Sequence, residues 1–144
     1  MNRVLLLAVW LGASCGEADP EIAPPTTGRE MHEFVQQRLY EPWHAESAVL
    51  PGLNETARRV FVNEHVVPAG SPTGAAAVRE IWNADASEPL GWSALVKTDR
   101  GWWFFETFDT EPGGDVAVAQ FDAPGCMGCH AAAPDMIQST LPLR

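Results

Sequence analysis

The five residues Cys126-Met127-Gly128-Cys129-His130 constrain this chain more than any other stretch of it. C-x-x-C-H is the attachment signature of c-type haem. Two thiols separated by two residues reach the two vinyl groups on one edge of a porphyrin and form thioethers. The adjacent histidine turns beneath the ring and offers its imidazole to iron as proximal ligand. Gly125 and Gly128 let the backbone approach the macrocycle closely. The fold must therefore leave room for a large flat group beside this motif. Competing uses of the same residues are weaker. A structural zinc site needs four ligands, and there is no second cysteine pair. A thioredoxin-like pair opens a longer helix in a βαβ unit, which the following residues do not supply. A disulfide across two residues would be strained.

The third cysteine, Cys15, has a different context. Arg3, the apolar stretch Val4 to Leu11, and the small residues Gly12, Ala13 and Ser14 before Cys15 read as an export signal over residues 1–15. A cysteine directly after small residues resembles the lipoprotein signal, in which that cysteine is lipidated; Gly12 departs from it where a leucine-like residue is usual. Ordinary secretion with cleavage nearby is the alternative. Residues 16–27, acidic and bearing Pro20, Pro24 and Pro25, read as an extended tether. The expected location is thus the periplasm or outer cell surface, with a membrane contact only through a lipid on Cys15. The charge agrees on what to exclude: 9 basic against 19 acidic residues give -10, which repels nucleic acid and anionic headgroups.

Residues 28–144 read as one domain. Thr27 and Glu30 have capping-box spacing, and Met31, Phe34, Val35 and Leu39 share a helical face, which predicts a helix ending before Pro42. Arg58 to Val62, Ala75 to Trp82, Gly91 to Thr98, Trp102 to Phe108 and Val116 to Phe121 are rich in Val, Phe, Trp and Thr and are separated by turn residues, as strands are. Thr98-Asp99-Arg100-Gly101 predicts a tight hairpin turn. The fold class is α+β: mainly antiparallel sheet with flanking helices and a C-terminal haem-attachment loop. In the run Trp102 to Phe105, strand geometry puts Trp102 and Phe104 on one face and Trp103 and Phe105 on the other, so both faces need cover.

Only 14 residues follow His130. Met136, six residues on, is too near to reach the opposite side of a haem, which points to an open sixth position suited to a small ligand. His32, His44 and His65 are the other histidines, each better explained by capping or surface roles. From about Tyr40 to Ile137 the chain resembles the cytochrome P-460 family, which includes the β-sheet cytochromes c′-beta. The matching stretches, in order, are Pro42-Trp43, Arg59 to Asn63, Ser71 to Gly74 leading into Val78 to Ile81, Ala94 to Lys97, Gly101 to Phe104, and Gly125 to His130 followed by Asp135.

That resemblance implies a pentacoordinate haem that binds NO or oxidises hydroxylamine. In the catalytic branch a lysine is cross-linked to the porphyrin and a distal carboxylate relays protons. The c′-beta branch lacks the link and caps the distal face with aromatics. Lys97 is this chain's one lysine; the other plausible cross-linking position carries Arg79. Glu80 and Glu106 are the candidate distal acids. Phe61, Trp82, Trp102, Phe104 and Phe105 are candidates for an apolar cap. Cys126 and Cys129 are the expected haem anchors and His130 the iron ligand. Turnover with electrons passed to a partner cytochrome, NO capture without turnover, and electron transfer alone all stay open, and a homodimer is compatible with each.

Overall fold

A computed structural model describes residues 23–141 and 143. The export signal, Cys15 and most of the tether lie outside the described residues.

The first helix, α1, spans Gly28–Gln36. Thr27 caps it: its hydroxyl accepts from the backbone N–H of Glu30 and donates to the Glu30 carboxylate at 2.7 Å. Met31, Phe34 and Val35 form the buried stripe, as the 3.6-residue period predicts. Hydrogen bonds from Arg38 to Val35 and from Leu39 to Phe34 then close a turn well short of Pro42.

Seven strands follow: β1 (His44–Ala45), β2 (Leu50–Pro51), β3 (Thr56–Val62), β4 (Ala76–Asn83), β5 (Pro89–Thr98), β6 (Gly101–Thr107) and β7 (Val118–Phe121). They form one open antiparallel sheet in the order β1-β3-β4-β5-β6-β7, with β2 also paired to β3. Five of the seven coincide with the expected runs. β1 and β2 were not among those runs. At the β5–β6 hairpin Thr98 pairs with Gly101, which takes φ 114°, and the Thr98 hydroxyl accepts from the Arg100 N–H at 3.1 Å. After β7 come α2 (Pro124–His130) and a short 3-10 turn (Pro134–Met136). Among the described residues no helix is long and apolar enough to cross a membrane.

The sheet is covered on both sides. On one face α1 lays Met31, Phe34 and Val35 against Tyr40, Phe61, Val78, Ala94, Val96, Trp103 and Phe105. On the other, Val60, Val62, Ala77, Leu95, Trp102 and Phe104 meet Ala123 and Ile137 of the C-terminal segment. The four consecutive aromatics are thus divided as strand alternation requires. Each face buries two of them, and each such ring contributes roughly 2–3 kcal/mol of burial. The second face is where α2 lies, with Cys126 and Met127 leaning on its core.

Candidate functional site

Strand pairing sets the polar residues of the α2 face in a row. Val60 lies opposite Arg79, Arg79 opposite Ser93, and Ser93 opposite Glu106. Directly opposed residues point to the same face. Beside this row, between sheet and C-terminal segment, runs a cleft of about 620 Å³, open solvent at its mouth included. Its floor is Val60, Ala77, Leu95 and Phe104, and its polar groups are Arg58, Arg79, Ser93 and Glu106. Its far wall includes Cys126, His130, Ile137 and Gln138.

Pro124 starts α2, where its missing N–H is not needed. Cys126 and Cys129, three residues apart on that helix, emerge on the same side. Both thiols are free; Cys126 is partly buried and Cys129 exposed. Burial, then the charge of Glu106, then Cys129, push the Cys126 thiol above its ordinary value of 9.0 and keep it protonated. The His130 ring meets Phe104 edge-on, with centroids 5.8 Å apart. Its Nδ1 lies 2.6 Å from the Met136 carbonyl. A carbonyl only accepts, so Nδ1 carries the proton and Nε2 keeps a free lone pair.

The turn that supplies this carbonyl is held in place from the sheet. Asp135 and Met136 both adopt left-handed φ, 50° and 64°. A methionine there is unfavourable by about 1–2 kcal/mol. Asp135 offsets that cost: its carboxylate accepts from the Ser71 N–H at 2.6 Å and from Lys97 Nζ at 3.1 Å. Burial alone would raise this carboxyl, but the Ser71 and Lys97 hydrogen bonds prevail and hold it below its ordinary 3.8. Lys97 also stands 5.1 Å from the Trp102 ring centroid. A second fastener lies at the other end. Glu46, 7% exposed, accepts from Arg58 at 2.7 Å, from the Val60 N–H at 2.9 Å and from Ser139 at 3.0 Å. It ties the C-terminal segment to β3.

Of the candidates named from sequence, Cys126, His130 and Glu106 line this cleft, and Cys129 sits on the same helix, exposed and outside that lining. Lys97 is on the same face but outside the cleft, paired with Asp135. Glu80 is a correction: the structure puts it on the α1 face, away from α2. There it is 3% exposed and accepts from Tyr40 at 2.8 Å, Arg38 at 2.9 Å and Trp82 at 3.1 Å. The reason is parity, since Glu80 follows Ala76 and Val78 at two-residue steps into the α1 core. The proposed aromatic cap divides likewise: Trp102 and Phe104 face α2, while Phe61 and Phe105 belong to the α1 core and Trp82 bonds Glu80 there. His32 lies on the α1 side, where its Nε2–H donates to the Asp109 carbonyl at 2.9 Å. Neither it nor His44 nor His65 lines the cleft. Reasoning from sequence overlooked Arg58 and Ser93. The signal for both was available, since each stands two residues from a core position, Val60 and Leu95.

The residues present fit a covalently held haem. The two thiols are free and on one side of a helix, the histidine keeps Nε2 available, and the cleft beside them is floored with apolar groups. Among the described residues no three His, Cys, Asp or Glu side chains cluster as a metal site by themselves. No protein-family model matches this chain, and no curated protein matches it either.

Proposed function

We propose that this chain is an extracytoplasmic mono-haem c protein of cytochrome P-460-like fold that binds or oxidises small nitrogen species such as hydroxylamine or NO. The observation that carries the proposal is the joint placement of Cys126, Cys129 and His130 on α2, with Cys126 and His130 lining one cleft and His130 Nδ1 engaged. Cys126 and Cys129 would hold the haem through thioethers and His130 would ligate its iron. The haem, when bound, supplies an iron that takes a small ligand and exchanges electrons. The rest falls to the chain. Met136 fixes the tautomer and ring orientation of His130. Phe104, Leu95 and Val60 exclude water from the cleft. Glu106 is the carboxylate placed to accept a proton from a bound hydroxylamine, whose oxidation releases protons as well as electrons. We assign Lys97 to holding the Asp135 turn rather than to a porphyrin cross-link, because its amine is already engaged.

Binding of NO without turnover is favoured instead by the apolar floor. Export across the membrane, with or without a lipid on Cys15, would place the protein where haem is attached and where a partner cytochrome can take electrons. The deciding experiment is expression with haem-maturation machinery, followed by digestion and weighing of the haem peptide. The expected result is one haem on the peptide containing Cys126 to His130, with no Lys97 peptide attached. Absence of covalent haem overturns the reading. Glu106→Gln then separates the two activities: lost hydroxylamine oxidation with retained NO binding supports turnover, and wild-type protein inert toward hydroxylamine supports binding alone.

A further inference from the structure

Arg79 is the anomaly of the cleft. Its Nε is buried and has no hydrogen-bond partner, and it is the one such side-chain atom among the described residues. Leaving a buried donor unpaired is unfavourable by about 1–3 kcal/mol, and more for a charged group. The other cations of this face are satisfied: Arg58 by Glu46, and Lys97 by Asp135. Glu106 is the acid nearest in register, but it lies two strands away with Ser93 between, and it forms no ion pair with Arg79. With Arg58 paired to Glu46, Arg79 and Glu106 are the charged groups lining the cleft that have no ion-pair partner among the described residues. Burial lowers the Arg79 pKa, Glu106 opposes that, and Arg58 adds to it; the guanidinium nonetheless stays charged at neutral pH.

We propose that Arg79, which lines the cleft and whose buried Nε–H has no partner, is an anion-binding residue that donates to a negatively charged oxygen. The ligand class is a carboxylate or a small oxyanion. This rests on the reading of the cleft as the haem site, and it leaves two sources for the oxygen. One is a propionate of the haem itself. The other is a free oxyanion of the size of nitrite. A neutral ligand such as NO gains nothing from the charge, so Arg79 would bias the site toward anions.

The test compares haem-loaded wild type, Arg79→Gln and Arg79→Lys. Nitrite and NO are titrated against each, and the propionate bands are read by resonance Raman spectroscopy. If the oxygen is free, Arg79→Gln weakens nitrite by about ten- to hundredfold and leaves NO within about twofold, with Arg79→Lys in between. If it is a propionate, the propionate bands shift and nitrite binding does not change. If neither changes, the proposal is wrong. Should the variants not fold, the Arg79 Nε–H signal is followed by NMR in wild type. It must move on adding nitrite, or lie already in the shifted position of a propionate-bonded guanidinium; a signal at the position of a free guanidinium overturns the proposal. A preparation that carries no covalent haem overturns the haem reading alone, and the same signal, with nitrite added to the haem-free chain, then decides this one.

Discussion

Replacing Glu80 tests whether the two faces of the sheet have the separate roles assigned to them. Its carboxylate gathers three donors beneath α1: the Tyr40 hydroxyl, the Arg38 guanidinium and the Trp82 indole. Glu80→Ala would not strand the Arg38 charge, because that side chain is 50% exposed and already pairs with Glu41 at 3.2 Å. Tyr40 is the residue that suffers. It is fully buried, and its oxygen also accepts from the Trp92 indole at 3.1 Å. Losing Glu80 leaves its O–H without an acceptor, at about 1–3 kcal/mol. The vacated volume adds about 1 kcal/mol, for a total of about 2–4 kcal/mol. For a domain of this size, at about 4 °C per kcal/mol, that is a fall in Tm of about 8–16 °C. Glu80→Gln keeps the shape and one acceptor oxygen but turns an amide N–H toward a donor, so it should fall between. Thermal and urea unfolding followed by circular dichroism measure the loss. The haem-loaded variants should meanwhile bind NO and nitrite as wild type does. A Glu80→Gln protein of unchanged stability but altered ligand binding would refute the assignment of Glu80 to the α1 face.

The remaining expectations concern the supports of the site. Asp135 titrates below its ordinary value in the folded chain, so its contribution is present above pH 3.8 and is lost as pH falls through the lower folded value. Unfolding measured from pH 6 down to about pH 2 should show that loss, and Asp135→Asn should lessen it by the share Asp135 contributes, leaving that of Asp85 and Asp109. Gly91 on β5 takes φ 154°, and a Cβ there would strike the Thr107 carbonyl of β6. Gly91→Ala should therefore cost more than about 2 kcal/mol in urea unfolding, because the obstacle is backbone and cannot swing aside.

How far the sequence could be read depended on where information was local. The long strands announced themselves through β-branched and aromatic runs bounded by Gly, Pro and Asn. β1 and β2 could not, because two residues hold no alternation and are strands only through pairing with β3. The α1 helix carried its own cap and stripe. The split of Trp102 to Phe105 followed from alternation alone, and the Thr98–Gly101 turn sets Ser93 opposite Glu106. Parity groups Glu80 with Ala76 and Val78, but which face of β4 meets α1 and which meets α2 is set by long-range packing, and that placed Glu80 away from α2. The Lys97–Asp135 pair joins residues 38 apart and was equally out of reach.

The polar residues of the α2 face divide into two kinds, and the division explains how a short C-terminal segment holds His130 in one orientation at the cleft. Arg58 and Lys97 stand at opposite ends, and each is spent on a carboxylate that fixes that segment: Glu46 reaches Ser139, and Asp135 shapes the turn whose carbonyl orients His130. Between them Arg79 and Glu106 form no ion pair among the described residues. Paired charges at the ends confer position, since breaking either releases strain held at Asp135 and Met136 or frees the edge at β3. Unpaired charges in the middle confer no stability and are costly to bury. Their presence in a cleft floored by Val60, Leu95 and Phe104 is what the proposed roles would account for: Arg79 donating to an anionic oxygen, and Glu106 accepting a proton.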